Sequence, residues 1–126
     1  MPTTINHITF DSHDPYGQAA WWCEVLGVAM DPEDHPGDPE AIVTLPTGPS
    51  VLFVRVPEGK AVKNRVHLDL TPESTRDEEV VRLLRLGATQ VVDHRRSDGT
   101  GWVTIADPEG NELCVERSAA ERAATS

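Results

Sequence analysis

The stretch VHLDL, residues 66 to 70, decides the fold, because it matches NHITF at residues 6 to 10. The matching histidines, His7 and His67, lie 60 positions apart. The same offset relates two further pairs of segments: 26–27 with 86–87, and 43–45 with 103–105. Similarity at a fixed period is the sequence signature of a repeated structural unit. We therefore expect the chain to contain two copies of one unit.

Each half begins with the same predicted pair of elements. The alternating stretches 5–11 and 65–70 predict a first strand. A helix follows in both halves, with Asp14 and the proline after it at the start of the first helix. In the second half, Ser74 or Thr75 is placed to cap the helix. A glycine ends both helices.

Three further strands are predicted after each helix, because apolar runs alternate there with turn residues. They lie around 28–31, 41–45 and 50–56 in the first half, and around 89–94, 101–106 and 111–117 in the second. The acidic, proline-rich segment 31–40 is predicted to be a loop. The repeated unit is thus β-α-β-β-β. One such unit leaves a sheet face uncovered, which favours its pairing with a second copy.

Length and composition are those of a single globular domain of 126 residues, with 38% apolar and 25% charged residues. Module 1 is expected over about 4–57 and module 2 over about 64–118, and residues 119–126 are expected to form a flexible tail. No apolar run approaches the roughly 20 residues that a membrane span requires. With no secretory signal pattern at the N-terminus, we expect a cytoplasmic protein and no membrane partner.

Charge and cysteine content narrow the function further. The net charge of −10 argues against a nucleic-acid partner, whose phosphates attract a basic surface. Cys23 and Cys114 are far apart and form no CxxC pair, which argues against a zinc knuckle or a redox motif. We expect both to be reduced, buried thiols.

Four features in this order resemble the vicinal oxygen chelate superfamily, the glyoxalase and bleomycin-resistance-like proteins. They are NHITF, the tryptophan-containing helix that ends in LGV, VHLDL, and DPEGNELCVE at 107–116. The chain is similar in particular to small glyoxalase-like domains of actinobacterial type. The resemblance implies an α+β fold in which two tandem βαβββ modules form a curled mixed-sheet cup, with helices outside. It also implies a small-molecule ligand or substrate inside the cup, and a homodimer.

The resemblance further implies where a metal would bind. In metal-dependent members, each module supplies one ligand from its first strand and one from its last. The first-strand positions here are His7 and His67, and the last-strand positions are matched to Phe53 and Cys114. The family's metal enzymes have glutamate at the last-strand position of module 2, where this chain has Cys114. The implied site is therefore either degenerate and metal-free or built from His7, His67 and Cys114. Glu116 is the alternative ligand to the thiol. A thiolate ligand favours zinc among divalent metals.

Strand alternation predicts which side chains share the pocket, since successive side chains point to opposite faces. Ile8 and Phe10 are expected to pack against the helices, with His7 and its alternating neighbours on the opposite, inner face. The inner face is more polar than a core favours, which indicates a solvated pocket. The candidates are Thr9, Phe53, Arg55 and Trp102 as ligand contacts, and His7, His67, Asp69 and Glu116 as catalytic groups.

Three functions are compatible with these residues. A metal-dependent lyase, isomerase or dioxygenase-type enzyme would polarise a substrate oxygen and move a proton with a carboxylate. A metal-free binding protein, like the antibiotic-sequestering members of the superfamily, would use Phe53 as an apolar wall and suit a cationic ligand. Metal-free acid–base catalysis by His7 and His67 is the third. The specific reaction is not predicted.

Overall fold

The structure is a computed structural model that describes residues 1–124. The chain forms two compact units, the first over Met1–Gly59 and the second beginning at Lys60. Each unit contains one mixed sheet and at least one helix, which confirms the predicted α+β class. Within the described residues, no helix combines the length and apolar character needed to cross a bilayer.

The first unit contains three strands and one helix: β1 (His7–Ser12), α1 (Pro15–Leu26), β2 (Glu40–Val43) and β3 (Ser50–Arg55). The central strand β3 pairs in parallel with β1 and antiparallel with β2. Helix α1 starts as predicted, because the Asp14 side chain accepts a hydrogen bond from the Gly17 N–H at 3.2 Å. It ends at Gly27, whose φ of 69° is left-handed.

The strand predicted at 28–31 is wrong: in the described part of the chain, that segment is irregular. The following loop is held by aspartate side chains instead of by a sheet. Asp31 accepts from the Glu33 N–H, and Asp34 accepts from the Ile42 N–H, both at 2.8 Å. Such local side-chain bonds offer the backbone an alternative to strand pairing. The first unit is therefore β-α-β-β.

The second unit has the predicted β-α-β-β-β order: β4 (Leu68–Leu70), α2 (Arg76–Arg85), β5 (Thr89–Asp93), β6 (Val103–Ala106) and β7 (Glu112–Val115). The sheet order is β4-β7-β6-β5, with β4 parallel to β7 and the other pairs antiparallel. Thr75, one of the two predicted caps, accepts from the Glu78 N–H at 3.1 Å. Five apolar side chains of α2 and the sheet are fully buried: Leu83, Val103, Ile105, Leu113 and Val115.

Residues 119–124 correct the predicted flexible tail, because they form a short helix, α3 (Ala119–Ala124). Ser118 and Glu121 cap its start reciprocally. The Glu121 carboxylate accepts from the Ser118 N–H at 2.9 Å, and the Ser118 hydroxyl accepts from the Glu121 N–H at 3.1 Å. The last two residues of the predicted tail, 125–126, lie outside the described residues.

Candidate functional site

The sheet of the second unit brings three polar side chains together. Parallel pairing of β4 with β7 places Asp69 opposite Cys114, and antiparallel pairing of β6 with β7 places Thr104 opposite Cys114. Directly opposed residues point to the same face of a sheet. That face is the one turned away from Leu113, as the alternation of β7 predicted.

His67 joins this group from the position before β4. Its Nδ1 atom lies 3.0 Å from Asp69 Oδ1 and 3.7 Å from Cys114 Sγ. On the other side of the thiol, Thr104 Oγ1 lies 3.4 Å from Cys114 Sγ. The possible metal-ligating atoms of His67, Asp69 and Cys114 all lie within 4.8 Å of one another.

An open cavity of about 410 Å³ lies over these residues. A volume of this size suits a small organic molecule. Besides the His67, Asp69 and Cys114 cluster, the cavity is lined by Lys63, His94, Trp102, Thr104, Glu112 and Glu116. The predicted site residues Asp69, Glu116 and Trp102 thus lie in the same cavity as His67.

Burial sets the protonation of the thiol. Loss of solvent raises the pKa of Cys114, the nearby carboxylates Asp69 and Glu116 raise it further, and the hydrogen bond with Thr104 opposes them. Cys114 is 5% exposed, so it is an inert thiol unless a cation stabilises its thiolate.

Lys63 fixes the charge of a second carboxylate in the cavity. Its ammonium group forms an ion pair with Glu112, and this hydrogen bond is the main cause of a lowered pKa for Glu112. The Glu112 side chain is only 10% exposed, whereas that of Lys63 is 66% exposed. Glu112 is therefore held ionised and engaged.

An aromatic pair forms one wall of the cavity. The rings of His94 and Trp102 stack with their centroids 4.6 Å apart. Their backbones are joined by a hydrogen bond from the His94 N–H to the Trp102 carbonyl at 2.9 Å. Trp102 is still 37% exposed, so part of its indole is open to a ligand.

The remaining predicted site residues lie in the first unit. His7 and Thr9 are exposed on β1, and His7 is near the Asn6 amide at 3.5 Å. Arg55 donates from Nη2 to the carbonyls of Gly37 at 2.8 Å and Asp38 at 3.1 Å. The guanidinium of Arg55 therefore holds the acidic loop of its own unit.

Phe53 corrects the sequence-based prediction most clearly. In β1 and β3, Phe10 lies opposite Phe53, and the two rings stack at 5.6 Å. Phe53 thus shares the face of Phe10, not that of His7, and it is fully buried. Thr9 is opposite Leu52 as Asp69 is opposite Cys114, so Leu52 is the true counterpart of the cysteine.

The comparisons with known proteins agree with this fold. A sequence profile for the Glyoxalase-like domain matches residues 7–116, which is most of the chain. The chain belongs to this family. The predicted resemblance to the vicinal oxygen chelate superfamily is thereby confirmed. A search of curated protein sequences gives no significant match.

Solved structures extend the likeness across nearly the whole domain. A glyoxalase/bleomycin resistance protein/dioxygenase family enzyme from Burkholderia phytofirmans PsJN superposes with a TM-score of 0.68 at 14% identity, covering 90% of this chain and 97% of that one. A lactoylglutathione lyase from Agrobacterium tumefaciens gives 0.60 at 22% identity, with coverages of 91% and 93%. The oxidase ChaP-H1 gives 0.63 at 24% identity, with coverages of 94% and 98%. At such identities the likeness establishes the fold, and not the reaction.

Many members of the superfamily use a divalent metal, and the donor set of this family member fits one. Imidazole, carboxylate and thiolate are the three side-chain groups that bind zinc in proteins. Three such groups, those of His67, Asp69 and Cys114, lie together beside the open cavity and form a possible metal site. The possible metal-ligating group in the described residues is His67, Asp69 and Cys114, and two of these belong to the predicted set of His7, His67 and Cys114.

Three cavity residues were missed by sequence reasoning: Lys63, His94 and Thr104. Thr104 had a signal, since it alternates with the apolar Val103 and Ile105 and therefore points to the face opposite theirs. His94 follows an exposed strand, and Lys63 lies in an irregular segment. Neither position belongs to a periodic pattern. The path of the folded chain brings both residues to the cavity, and that path cannot be read from the local sequence.

Proposed function

We propose that the second unit binds a small oxygenated molecule and acts on it with a divalent metal, zinc before others, held by His67, Asp69 and Cys114. One observation carries the proposal: the candidate ligand atoms of these three different side chains lie within 4.8 Å of one another at the cavity. A hard metal is disfavoured because a thiolate is a soft ligand.

The chemistry of such a site divides between the metal and the chain. When bound, the metal supplies Lewis acidity, which polarises a carbonyl or hydroxyl oxygen of the substrate. Glu116 lines the same cavity and is our candidate to accept or return a proton. Trp102 and His94 form a wall against which a substrate can be oriented. These roles suit a lyase, an isomerase or an oxygenase, and the names of similar structures include a lyase and oxidases.

Metal content tests the proposal directly. We expect purified protein loaded with zinc to retain about one equivalent after gel filtration, and the variants His67→Ala and Cys114→Ala to bind at least about 100-fold more weakly. Cys23→Ala is the matched control, because Cys23 is also buried and lies in the first unit. Cobalt substitution adds a signature, since a thiolate ligand gives charge-transfer absorption that Cys114→Ala loses.

Two results would contradict the metal site. One is less than roughly a tenth of an equivalent of zinc with no binding on titration. The other is zinc binding that Cys114→Ala and Cys23→Ala reduce equally.

A metal-free pocket is the second candidate, and two observations favour it. Asp69 already engages His67 Nδ1 at 3.0 Å, as in a base held by a carboxylate, and burial keeps the Cys114 thiol protonated. In this case the cavity binds a ligand without metal, as an antibiotic-sequestering protein would. A thermal-shift panel of cationic drugs and small oxygenated metabolites, measured in chelator, is expected to show stabilisation.

We also propose a homodimer in the cytoplasm, which the superfamily resemblance implied. Light scattering during gel filtration measures the mass directly. A mass of one chain across the concentration range would contradict the dimer.

A further inference from the structure

A second cavity of about 460 Å³ opens beside the first in the same unit. Its lining includes three arginines, Arg96, Arg117 and Arg122. Two residues, Trp102 and Glu116, line both cavities. The two cavities are therefore neighbours along one wall.

The charge of this second cavity is opposite to that of the chain. Three guanidinium groups face one carboxylate, Glu116, whereas the whole chain has a net charge of −10. Guanidinium groups match the planar, two-oxygen geometry of carboxylate and phosphate groups. A concave surface lined by one sign of charge concentrates ligands of the opposite sign.

Two of the arginine side chains, those of Arg96 and Arg122, contact neutral groups. Arg96 lies 5.7 Å from the centre of the Trp102 ring, and its Nη1 is 3.4 Å from Thr100 Oγ1. Arg122 Nη1 donates to the Arg117 carbonyl at 2.7 Å. Positioning of this kind lowers the entropy that a ligand must remove on binding.

The backbone around the cavity is held by a buried arginine outside it. Arg76 is 5% exposed, and its Nη1 is 3.1 Å from each of the carbonyls of Gly99, Thr100 and Gly101. Its backbone N–H donates to Glu121 of α3 at 2.6 Å. These bonds connect the loop before Trp102 to α2 and α3.

The backbone at Gly101 leaves no room for a side chain. Its φ is 95°, and a Cβ atom at this position would lie 2.0 Å from the His94 carbonyl oxygen. The backbone of Gly101 therefore passes too close to His94 for any side chain. The loop before Trp102 is thus bonded to Arg76 and packed closely against the His94 backbone.

We infer that the arginine cavity, defined by Arg96, Arg117 and Arg122, binds an oxyanion group, a carboxylate or a phosphate, of the molecule whose other end enters the His67, Asp69 and Cys114 cavity. This inference rests on the proposed function for the identity of the second end. It restricts the substrate class to small acids that carry a metal-binding oxygen away from the charged group.

A matched pair of ligands tests the inference on zinc-loaded protein. 2-Oxoglutarate and 2-oxovalerate share the 2-oxo acid end and the chain length, but only 2-oxoglutarate has a distal carboxylate. By calorimetry we expect 2-oxoglutarate to bind about tenfold more tightly, the effect of a charge-assisted contact. Arg96→Gln and Arg122→Gln are expected to remove this preference and to leave 2-oxovalerate unchanged. Arg85→Gln, an exposed arginine on α2, is the charge-matched control.

Anion titrations without metal separate this inference from the zinc proposal. In chelator-treated protein, inorganic phosphate and acetate are titrated separately, so that the two oxyanion types are compared. Binding of either one that Arg122→Gln weakens and Arg85→Gln does not supports the arginine cavity even if zinc never binds. The inference is overturned if neither anion binds, or if the distal carboxylate gives no preference in zinc-loaded protein. Unchanged melting temperatures of the variants show that a loss is not a loss of folding.

Discussion

The two units place different side chains on equivalent positions of the same strand pair. In the first unit, Thr9 lies opposite Leu52, and in the second unit Asp69 lies opposite Cys114. Continuing the same register matches Val54 with Glu116. Only the histidines before these positions are alike. The repeat therefore preserves a strand framework, and among residues 1–124 the cluster of ligand-type side chains lies in the second copy.

The helices of the two units also differ, both in the charged residues at their ends and in how much of each is buried. Helix α2 has three acidic residues in its first turn and two arginines in its last turn, which favours it through the helix dipole. Helix α1 has neither, and seven of its twelve residues are buried. We conclude that α1 depends on tertiary burial, whereas α2 also has local support.

The largest expected effect tests the role of Phe53 in this comparison. Because Phe53 is fully buried against Phe10, Phe53→Ala should lower the free energy of unfolding by about 3–5 kcal/mol. Urea denaturation followed by circular dichroism measures the change.

Thr9→Ala, on the opposite face of the same strands, is the control and should change stability by less than about 1 kcal/mol. A stable Phe53→Ala protein with altered ligand binding would restore Phe53 to a pocket wall and refute the register comparison.

The next effect concerns the thiol that distinguishes the second unit. Burial raises the pKa of Cys114, so the thiol is neutral at pH 7 and zinc must displace its proton. The apparent zinc affinity should therefore rise about tenfold per pH unit from about pH 7 to about pH 8.5, below the pKa of the thiol. Competition with a chelator of known pH dependence measures it.

Cys114→Asp keeps a ligand whose ordinary pKa lies far below this range, so its zinc affinity should depend less steeply on pH than that of the wild type. Equal slopes for the two proteins would show that Cys114 does not bind the metal.

The smallest effect concerns Lys63 and Glu112. Lys63→Met should let the pKa of Glu112 rise toward its ordinary value, because the hydrogen bond to the ammonium group is the main cause of its lowering. NMR titration of the Glu112 carboxyl carbon follows this change. The loss of stability should be below about 1 kcal/mol, because Lys63 is 66% exposed to screening solvent.

A lowered carboxyl pKa stabilises the fold above the unfolded-state pKa, and this contribution disappears as the pH falls through the folded-state pKa. The difference between wild type and Lys63→Met should therefore vanish in acid. Lys60→Met is the graded control, since Lys60 lowers the pKa of Glu112 through its charge alone and by less than Lys63 does. An unchanged Glu112 pKa in Lys63→Met would show that the ion pair is not maintained in solution.

Local sequence patterns predicted most of the second unit. Alternation in VHLDL and NELCVE correctly put His67, Asp69 and Cys114 on one face, because the period of a strand is set by the backbone itself. Asp69 and His67 are two positions apart on this face, and their side chains lie within hydrogen-bond distance at 3.0 Å.

The first unit shows where such reasoning fails. The match of Phe53 with Cys114 was wrong by one residue, and a shift of one residue turns every side chain to the other face. The strand at 28–31 was wrong because aspartate side chains bind the backbone of the following loop. The first error concerns the register between strands, and the second concerns whether a segment pairs as a strand at all. The periodicity of a short segment determines neither.

By itself, the sequence determined the repeated frame, the family and the alternation within each strand, because these follow from short-range backbone geometry and burial. The tertiary structure decided which strands face one another and in which register. It thereby placed Asp69 beside His67 and Cys114 and Phe53 in the core. It also brought His94 and the three arginines into the two cavities that Trp102 lines. Such contacts join residues distant in the chain, and their register is selected by packing the whole unit at once.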